Sequence, residues 1–332
     1  MAEGQAQELP AIAWLRRRWG RLRQGPAPAV PPAPRPRVAV VTDSSAALPP
    51  AWTEEFERAG CFACIVLPVM AGEEIFTEGE DVDTALGLAL AAGRQVRTSR
   101  PSPGQFERAY RAFEQAGFEA VLSLHLSGKL SGTADAARIA SARVGIPVEV
   151  VDSQTAGMAL GFAVQAAVLS AATGAGPAEV RRAAEERLAG AEVFFYVPSL
   201  EQLRRGGRIG AAASLVGTVL SIKPILTLRD GLIVPLERVR TAPRAVSRLR
   251  ELAVASAATH VPAVLAVHYF GNRPEADSFA QALAADVGMA PDAVVVSTMP
   301  AVLAAHTGLG VLAVVVAGPA EAGAATPDRA AR

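Results

Sequence analysis

The sequence predicts an α/β protein made of two α/β domains, each built on a mainly parallel sheet. Short runs rich in valine, isoleucine and leucine alternate with longer segments in which apolar residues recur at helical spacing. The alternation occurs once before and once after a segment without charged side chains, Ser153 to Ala178. Strands that alternate with helices of this length favour parallel sheets covered by helices on both faces.

The first domain is predicted to span residues 37–155. Its short apolar runs predict strands, and several of the helical patterns follow a residue suited to an N-cap. The predicted strands are Val38–Val41, Cys64–Leu67, Ala120–Leu124 and Val148–Val151. The predicted helices are Pro49–Ala59, Asp83–Ala92, Ser102–Ala116 and Gly132–Ala142.

The uncharged segment opens the second predicted domain, residues 156–318. It is long enough to cross a bilayer, but alanine, glycine and polar residues dominate it, which favours a buried helix from about Ala156 to Ala172. The predicted strands that follow are Phe194–Val197, Ala263–Val267, Val294–Val296 and Leu312–Val316. Further helices are predicted near Arg244–Ala255 and Glu275–Ala284.

Both ends of the chain are predicted to be disordered tails, residues 1–36 and 319–332. The first tail is rich in proline and carries six arginines against two glutamates, a charge of +4. Its two tryptophans and its arginines suit transient contact with an anionic membrane surface, and a tail without a dedicated role fits equally well.

Composition argues against several classes of function. The chain of 332 residues has 32 basic and 32 acidic side chains, so it lacks the overall positive charge that non-specific nucleic-acid binding requires. No apolar secretory core opens the sequence, which predicts a cytoplasmic protein. Cys61 and Cys64 are predicted to be buried, reduced thiols, and the four histidines lack metal-ligand spacing. No metal or cofactor is therefore predicted.

Two hydroxyl-rich segments, Thr98–Gly104 and Ser127–Thr133, each precede a predicted helix. Backbone N–H groups at a helix start, joined by hydroxyls, can bind a carboxylate or phosphate. Ligands of open α/β sheets bind beyond the carboxyl ends of the strands, where the second segment lies. Asp43 and Asp152 also follow strands, and we assign them scaffold roles as acceptors of loop N–H bonds.

Seven segments, in order and at suitable intervals, resemble the DegV family. They are Val40-Val41-Thr42-Asp43-Ser44-Ser45, Thr98-Ser99-Arg100-Pro101-Ser102, Leu126-Ser127-Gly128-Lys129-Leu130-Ser131-Gly132-Thr133, Val151-Asp152-Ser153, Gly206-Gly207-Arg208-Ile209, Ile222-Lys223-Pro224-Ile225 and His306-Thr307-Gly308. The resemblance implies an EDD-type fold with a long-chain fatty acid bound between the two domains. It also implies a lipid-presenting subunit, not catalytic alone, that offers the carboxylate to a separate ATP-dependent fatty acid kinase for acyl-phosphate formation.

The same resemblance assigns roles to individual residues. Thr98, Ser127 and His306 are expected to contact the fatty-acid carboxylate, with Ser99 and Ser131 as neighbours.

Arg208 and Arg240 are expected on a basic surface that docks the kinase. The chain departs from the usual family pattern at three positions, where Arg100 replaces glutamine, Gly128 replaces serine and Leu309 replaces proline. Arg100 is expected to add a charge near the mouth of the pocket.

Two other functions remain open from the sequence. An esterase-like hydrolase would use Ser127 or Ser131 as nucleophile, with His306 and either Asp43 or Asp152 as partners, although no Gly-X-Ser-X-Gly elbow is present. A subunit resembling dihydroxyacetone kinase components would instead bind a small polar ligand. The volume and polarity of the pocket distinguish these alternatives from the fatty-acid carrier.

Overall fold

The computed structural model describes residues 35–72, 74–76, 80–215, 222–260 and 262–318. The predicted membrane-contacting tail therefore lies almost entirely outside the described residues, and the C-terminal tail lies outside them completely. Residues from Arg35 onward belong to one compact unit. The domain boundary at residue 156 stays a prediction.

Within the described residues, thirteen strands form three sheets. They are β1 (Val38–Asp43), β2 (Phe62–Ile65), β3 (Val69–Ala71), β4 (Glu74–Phe76), β5 (Val96–Thr98), β6 (Ala120–His125), β7 (Val148–Asp152), β8 (Glu192–Tyr196), β9 (Lys223–Arg229), β10 (Leu232–Val239), β11 (Val264–Tyr269), β12 (Val294–Thr298) and β13 (Leu312–Ala317).

Ten α-helices are found among the described residues. They are α1 (Pro50–Arg58), α2 (Glu80–Ala91), α3 (Pro103–Gln115), α4 (Thr133–Ser141), α5 (Met158–Ala172), α6 (Pro177–Ala189), α7 (Glu201–Arg205), α8 (Ala242–Ala257), α9 (Arg273–Val287) and α10 (Ala301–Thr307). Short 3-10 helices lie at Ser44–Ala46, Gly210–Leu215 and Pro291–Ala293.

The first sheet has the order β2-β1-β6-β7, and all of its strand pairs are parallel. This confirms the predicted parallel sheet. Alternate residues of its strands pack into different cores, because successive side chains point to opposite faces. In β1, Val38 and Val40 join a core shared with the second sheet, whereas Ala39 and Val41 pack with residues of α3 and α4.

The second sheet has the order β10-β9-β8-β13-β11-β12. Its strands are antiparallel except for the pair β11 and β12. The prediction of mainly parallel sheets therefore holds only for the first sheet. Its strands also divide between two cores: Val193 and Phe195 of β8 face the shared core, and Phe194 and Tyr196 pack with α8 and α9.

A small antiparallel sheet, β4-β3-β5, was not predicted from the sequence. Each of its strands has three residues, too few to give a recognisable alternation of apolar and polar positions. It lies against α10, and its last residue is Thr98. The sheet therefore carries one of the predicted site residues towards another, His306 on α10.

Helix α5 confirms the predicted buried helix and lies between the two large sheets. It contacts β1 and β6 of the first sheet and β13 of the second. Most of its residues are buried, with Leu169 and Ala172 in the last turn exposed, which explains why the segment lacks charged side chains. At Gly161 the helix passes so close to the carbonyl oxygen of Ala46 that a Cβ atom would clash with it.

A histidine from the second sheet caps the start of α5. The Nε2 atom of His268, on β11, accepts a hydrogen bond of 3.0 Å from the backbone N–H of Met158, and Nδ1 lies 3.0 Å from Oγ of Ser297. Since Nε2 is the acceptor, the proton of the neutral ring is on Nδ1. Burial lowers the pKa of His268 to about 4.

This cap makes stability depend on pH. In the unfolded chain this histidine titrates near pH 6.5. The cap therefore makes its full contribution to the free energy of unfolding above about pH 6.5, and this contribution is lost as the pH falls towards 4. We expect wild-type protein to lose on the order of 2–3 kcal/mol more unfolding free energy than His268→Gln between pH 7.5 and 4.5, because glutamine keeps an acceptor but does not titrate. Urea denaturation at both pH values tests this, and equal losses in the two proteins would contradict it.

Candidate ligand-binding site

A cavity with mainly apolar walls lies between the second sheet and the loops that follow strands β2 and β6 of the first sheet. The space inside it that water can occupy measures about 220 Å³. Strands, loops and helices from both halves of the chain supply its apolar side chains. They are Leu67, Leu126, Leu130, Val193, Phe195, Leu203, Leu228, Ile233, Met299, Val302, Leu303, Ala313 and Val315. This lining does not suit the small polar ligand of a dihydroxyacetone kinase component.

Four of the five residues predicted to bind the head group line this cavity: Thr98, Ser99, Ser131 and His306. Oγ1 of Thr98 lies 2.9 Å from Nε2 of His306, although the two residues are far apart in sequence. Oγ of Ser131 lies 2.8 Å from Oγ1 of Thr133, which is fully buried at the start of α4. The structure therefore brings neutral hydroxyls and an imidazole together in the wall of an apolar cavity.

His306 is held in its neutral form. Burial and the nearby positive charge of Arg208 lower its pKa to about 4. Nδ1 is buried and has no hydrogen-bond partner among the described residues, so the ring proton is best accommodated on Nε2, facing Thr98. In this tautomer Nε2 donates to Oγ1 of Thr98. The hydroxyl hydrogen of Thr98 is then free to donate to a ligand.

The remaining predicted site residue, Ser127, is fully buried and does not line the cavity. Its hydroxyl donates a hydrogen bond of 2.7 Å to the carbonyl oxygen of Gly231. Gly231 and Asp230 form the turn of the β9-β10 hairpin, and both have positive φ angles. Ser127 therefore joins a loop of the first sheet to a hairpin of the second instead of pointing at a ligand.

The arginines predicted to dock a partner occupy different environments. Arg208 is half-buried and lines the cavity, and its guanidinium donates to the carbonyl oxygens of Leu130 and Gly206 at 3.0 and 2.6 Å. Arg208 therefore holds the Ser131 loop next to His306. Arg240 is exposed just after β10, in agreement with a surface role.

The aspartates that follow strands act as scaffold residues, as predicted. Asp152 accepts N–H bonds from Gly128 and Gln154, both at 3.0 Å. Asp43 accepts N–H bonds from Ser45 and Leu126. It also lies 2.8 Å from Nδ1 of His125, so it does not pair with His306.

A buried chain of side chains begins at this aspartate. Nε2 of His125 lies 2.7 Å from Oγ of Ser123, and that oxygen lies 2.7 Å from the hydroxyl of Tyr110. Asp43, His125 and Ser123 follow one another as acid, base and hydroxyl, but all are fully buried. A substrate cannot reach Ser123, and His306 is bonded to Thr98 and not to Ser127 or Ser131. The geometry therefore does not support the esterase alternative.

Within the described residues, no group of three or more histidine, cysteine, aspartate or glutamate side chains could hold a metal ion. Cys61 is buried, as predicted, whereas Cys64 is only partly buried, and neither forms a disulfide. Burial raises the pKa of the Cys61 thiol, which makes it a poor nucleophile at neutral pH. No helix in the described part of the chain is long and apolar enough to cross a membrane.

Sequence reasoning missed the contribution of the β9-β10 hairpin, whose Leu228 and Ile233 line the cavity. The dipeptide Asp230-Gly231 between two β-rich runs is a strong hairpin signal and could have identified it. Two further lining residues that were not predicted from the sequence are His268 and Thr307. No local pattern distinguishes these two residues from core positions.

Comparison with known proteins identifies the family. Residues 37–318 match the profile of the DegV family, which is described as a family of uncharacterised proteins. A DegV domain-containing protein of Streptomyces coelicolor is 45% identical over 280 residues, 84% of this chain and 98% of the relative. The chain therefore belongs to the DegV family, and the resemblance noted from its sequence is confirmed.

Solved structures of the family share this fold. A fatty-acid-binding DegV family protein from Thermus thermophilus superposes with a TM-score of 0.78 at 31% identity, covering 85% of this chain and 99% of that one. DegV from Bacillus subtilis, a fatty-acid-binding protein, gives a TM-score of 0.75 at 30% identity with the same coverage. The two-part α/β architecture is thus that of the DegV proteins.

Gly206 leaves the space that the His306 imidazole occupies. A Cβ atom at this position would overlap Nδ1 of His306. Its backbone has φ −75° and ψ −9°, which alanine adopts without strain. We expect Gly206→Ala to lower the unfolding free energy by about 1–3 kcal/mol through overpacking. The matched control is Gly87→Ala in α2, where a Cβ meets open space and should be neutral or stabilising.

A double-mutant cycle separates the clash from other effects. Combining Gly206→Ala with His306→Ala removes the imidazole that the methyl group would strike, so the two changes should cost less together than the sum of their separate costs. Urea denaturation of the four proteins measures the difference. Additive losses would show that the methyl group does not act through His306.

Proposed function

We propose that the cavity binds a long-chain fatty acid, with the carboxylate at Thr98, Ser131 and His306 and the acyl chain along the apolar walls. The observation that carries this proposal is the hydrogen bond between Thr98 and His306, placed in the wall of an otherwise apolar cavity. The fatty-acid-binding DegV proteins of Thermus thermophilus and Bacillus subtilis, which share the fold, support it.

The apolar walls supply most of the affinity in this proposal. Burial of each methylene group contributes about 0.8 kcal/mol, so a chain of ~16 carbons gains far more from the walls than from its head group. Affinity should therefore rise along a series of acids until the chain exceeds the space that the walls can open. This dependence is opposite to that of a small polar ligand.

The head group is held by neutral donors. A hydroxyl that donates to a charged group contributes about 1.5–3 kcal/mol net, so two hydroxyls are enough to orient a carboxylate. Thr98 has a free hydroxyl hydrogen when Nε2 of His306 donates to its oxygen. Ser131 likewise has a free hydroxyl hydrogen when the hydroxyl of Thr133 donates to its oxygen. Two hydroxyls beside a neutral imidazole can thus orient the acid with one oxygen outward.

Removal of these hydroxyls tests the site. We expect Thr98→Val with Ser131→Ala to weaken hexadecanoate binding about a hundredfold or more, since two hydrogen bonds to a carboxylate are lost and the apolar walls remain. Thr173→Val at the exposed end of α5 removes a hydroxyl outside the cavity lining and serves as the control. Fluorescent-acid displacement measures affinity, and native mass spectrometry identifies any acid retained on purification. Unchanged affinity in the double variant would refute the assigned head-group site.

We further propose that the protein presents the carboxylate to a separate ATP-dependent fatty acid kinase, which forms an acyl phosphate. The sequence resemblance supports this step, together with the outward-facing carboxylate oxygen that neutral donors leave available. Arg240 is the docking residue of choice, because it is exposed whereas Arg208 is engaged with two carbonyl oxygens. A cytoplasmic location, and membrane contact through residues 1–36, fit this function and rest on the sequence alone.

Docking by Arg240 predicts a salt-sensitive defect. With a purified bacterial fatty acid kinase catalytic subunit and ATP, Arg240→Ala should bind hexadecanoate normally but form acyl phosphate several-fold more slowly at low salt. The difference from wild type should shrink as salt screens the charge. Arg58→Ala, at an exposed arginine on α1, is the control. Identical rates for Arg240→Ala and wild type at low salt would dismiss the docking role.

A further inference from the structure

A guanidinium without a partner lies in the wall of the cavity beside the proposed head-group site. Arg100 follows Thr98 and Ser99 directly, and all three residues line the cavity. In the described part of the chain, Arg100 makes no hydrogen bond and no ion pair. Arg208, the other arginine in the lining, already donates to two carbonyl oxygens. Arg100 therefore has donors available for a ligand.

The Arg100 side chain lies over the loop that carries Ser131. A Cβ atom at Gly132 would be 3.1 Å from Nη1 and 3.2 Å from Cδ of Arg100. The glycine thus leaves room for the arginine to cross the loop next to Ser131. Through Leu130, the same loop is held by Arg208, which is near His306. Arg100 therefore lies next to the Ser131 loop, and Arg208 holds the same loop close to His306.

The charge of Arg100 matters because the other donors of the site are neutral. Hydroxyls donate to the carbonyl oxygen of an ester as well as to an ionised acid, and their hydrogen bonds to the acid are stronger, so Thr98 and Ser131 supply only part of a preference for the acid. A guanidinium presents a planar fork of N–H groups that matches a carboxylate, and hydrogen bonds between ionised partners are about twice as strong as neutral ones. Arg100 is exposed, so solvent and salt reduce its effect without removing it.

We propose that Arg100 is a specificity-determining residue, whose guanidinium donates to the anionic head group and makes the cavity prefer an ionised fatty acid to a neutral lipid of the same chain length. The inference rests on the proposed fatty-acid site and adds to it. The hydroxyls and the apolar walls give affinity for any long acyl chain. Arg100 adds affinity that depends on the charge of the ligand.

The test compares hexadecanoate with its methyl ester in the full chain. Arg100→Gln should weaken hexadecanoate binding about three- to tenfold at low salt and leave methyl ester binding unchanged. Raising the salt concentration should reduce the difference between variant and wild type. Arg97→Gln is the matched control, because Arg97 is an exposed arginine on β5, three residues before Arg100, and does not line the cavity. Arg97→Gln also removes one positive charge, and it should change the affinity for neither hexadecanoate nor its methyl ester.

The other outcomes would contradict either the role of Arg100 or the proposed fatty-acid site. Equal weakening of acid and ester, or no weakening of the acid, would overturn the role of Arg100 while leaving the fatty-acid site in place. Equal weakening by Arg97→Gln and Arg100→Gln would assign the effect to overall charge and would also overturn it. If the wild-type protein bound neither lipid, the proposed function itself would fail.

Discussion

Helix α5 sets the main constraint on this fold, because none of its faces suits water. A helix without charged side chains must be covered over most of its surface, and the two large sheets together with helix α6 supply that cover. The inner faces of both sheets are therefore apolar, as Val38 and Val40 on one and Val193 and Phe195 on the other illustrate. The walls of the cavity combine this apolar face of the second sheet, including Val193 and Phe195, with loops at the carboxyl ends of the first sheet.

Much of the architecture could be predicted from the sequence, because period and composition are local properties. The parallel strands around Val40 and the helix from Met158 gave clear patterns. Strand direction in the second sheet did not, since an alternating apolar run has the same appearance in parallel and antiparallel pairs. The β9-β10 hairpin was missed although its Asp230-Gly231 turn was visible, and its antiparallel pairing extends into the neighbouring strands.

The candidate site, too, could be predicted from the sequence only in part. A hydroxyl-rich segment before a helix start is recognisable in sequence, which pointed to the segments that contain Thr98 and Ser131, and the family resemblance then assigned the roles of these two residues. The direction of a hydroxyl is not recognisable, because a contact far along the chain decides it. Ser127 turns to the carbonyl of Gly231, and Arg208 turns inward to the carbonyl of Leu130. Both residues hold loops of the two halves of the chain together through backbone carbonyl groups, and a local motif does not indicate this role.

The buried chain of Asp43, His125, Ser123 and Tyr110 has a wider consequence. Its interatomic distances satisfy the template by which serine hydrolases are sought in structural surveys, and a search on geometry alone would report a false positive. Exposure separates the two cases, since a nucleophile has to meet its substrate. The usefulness of such templates therefore depends on an accessibility filter, applied before any comparison of angles or distances.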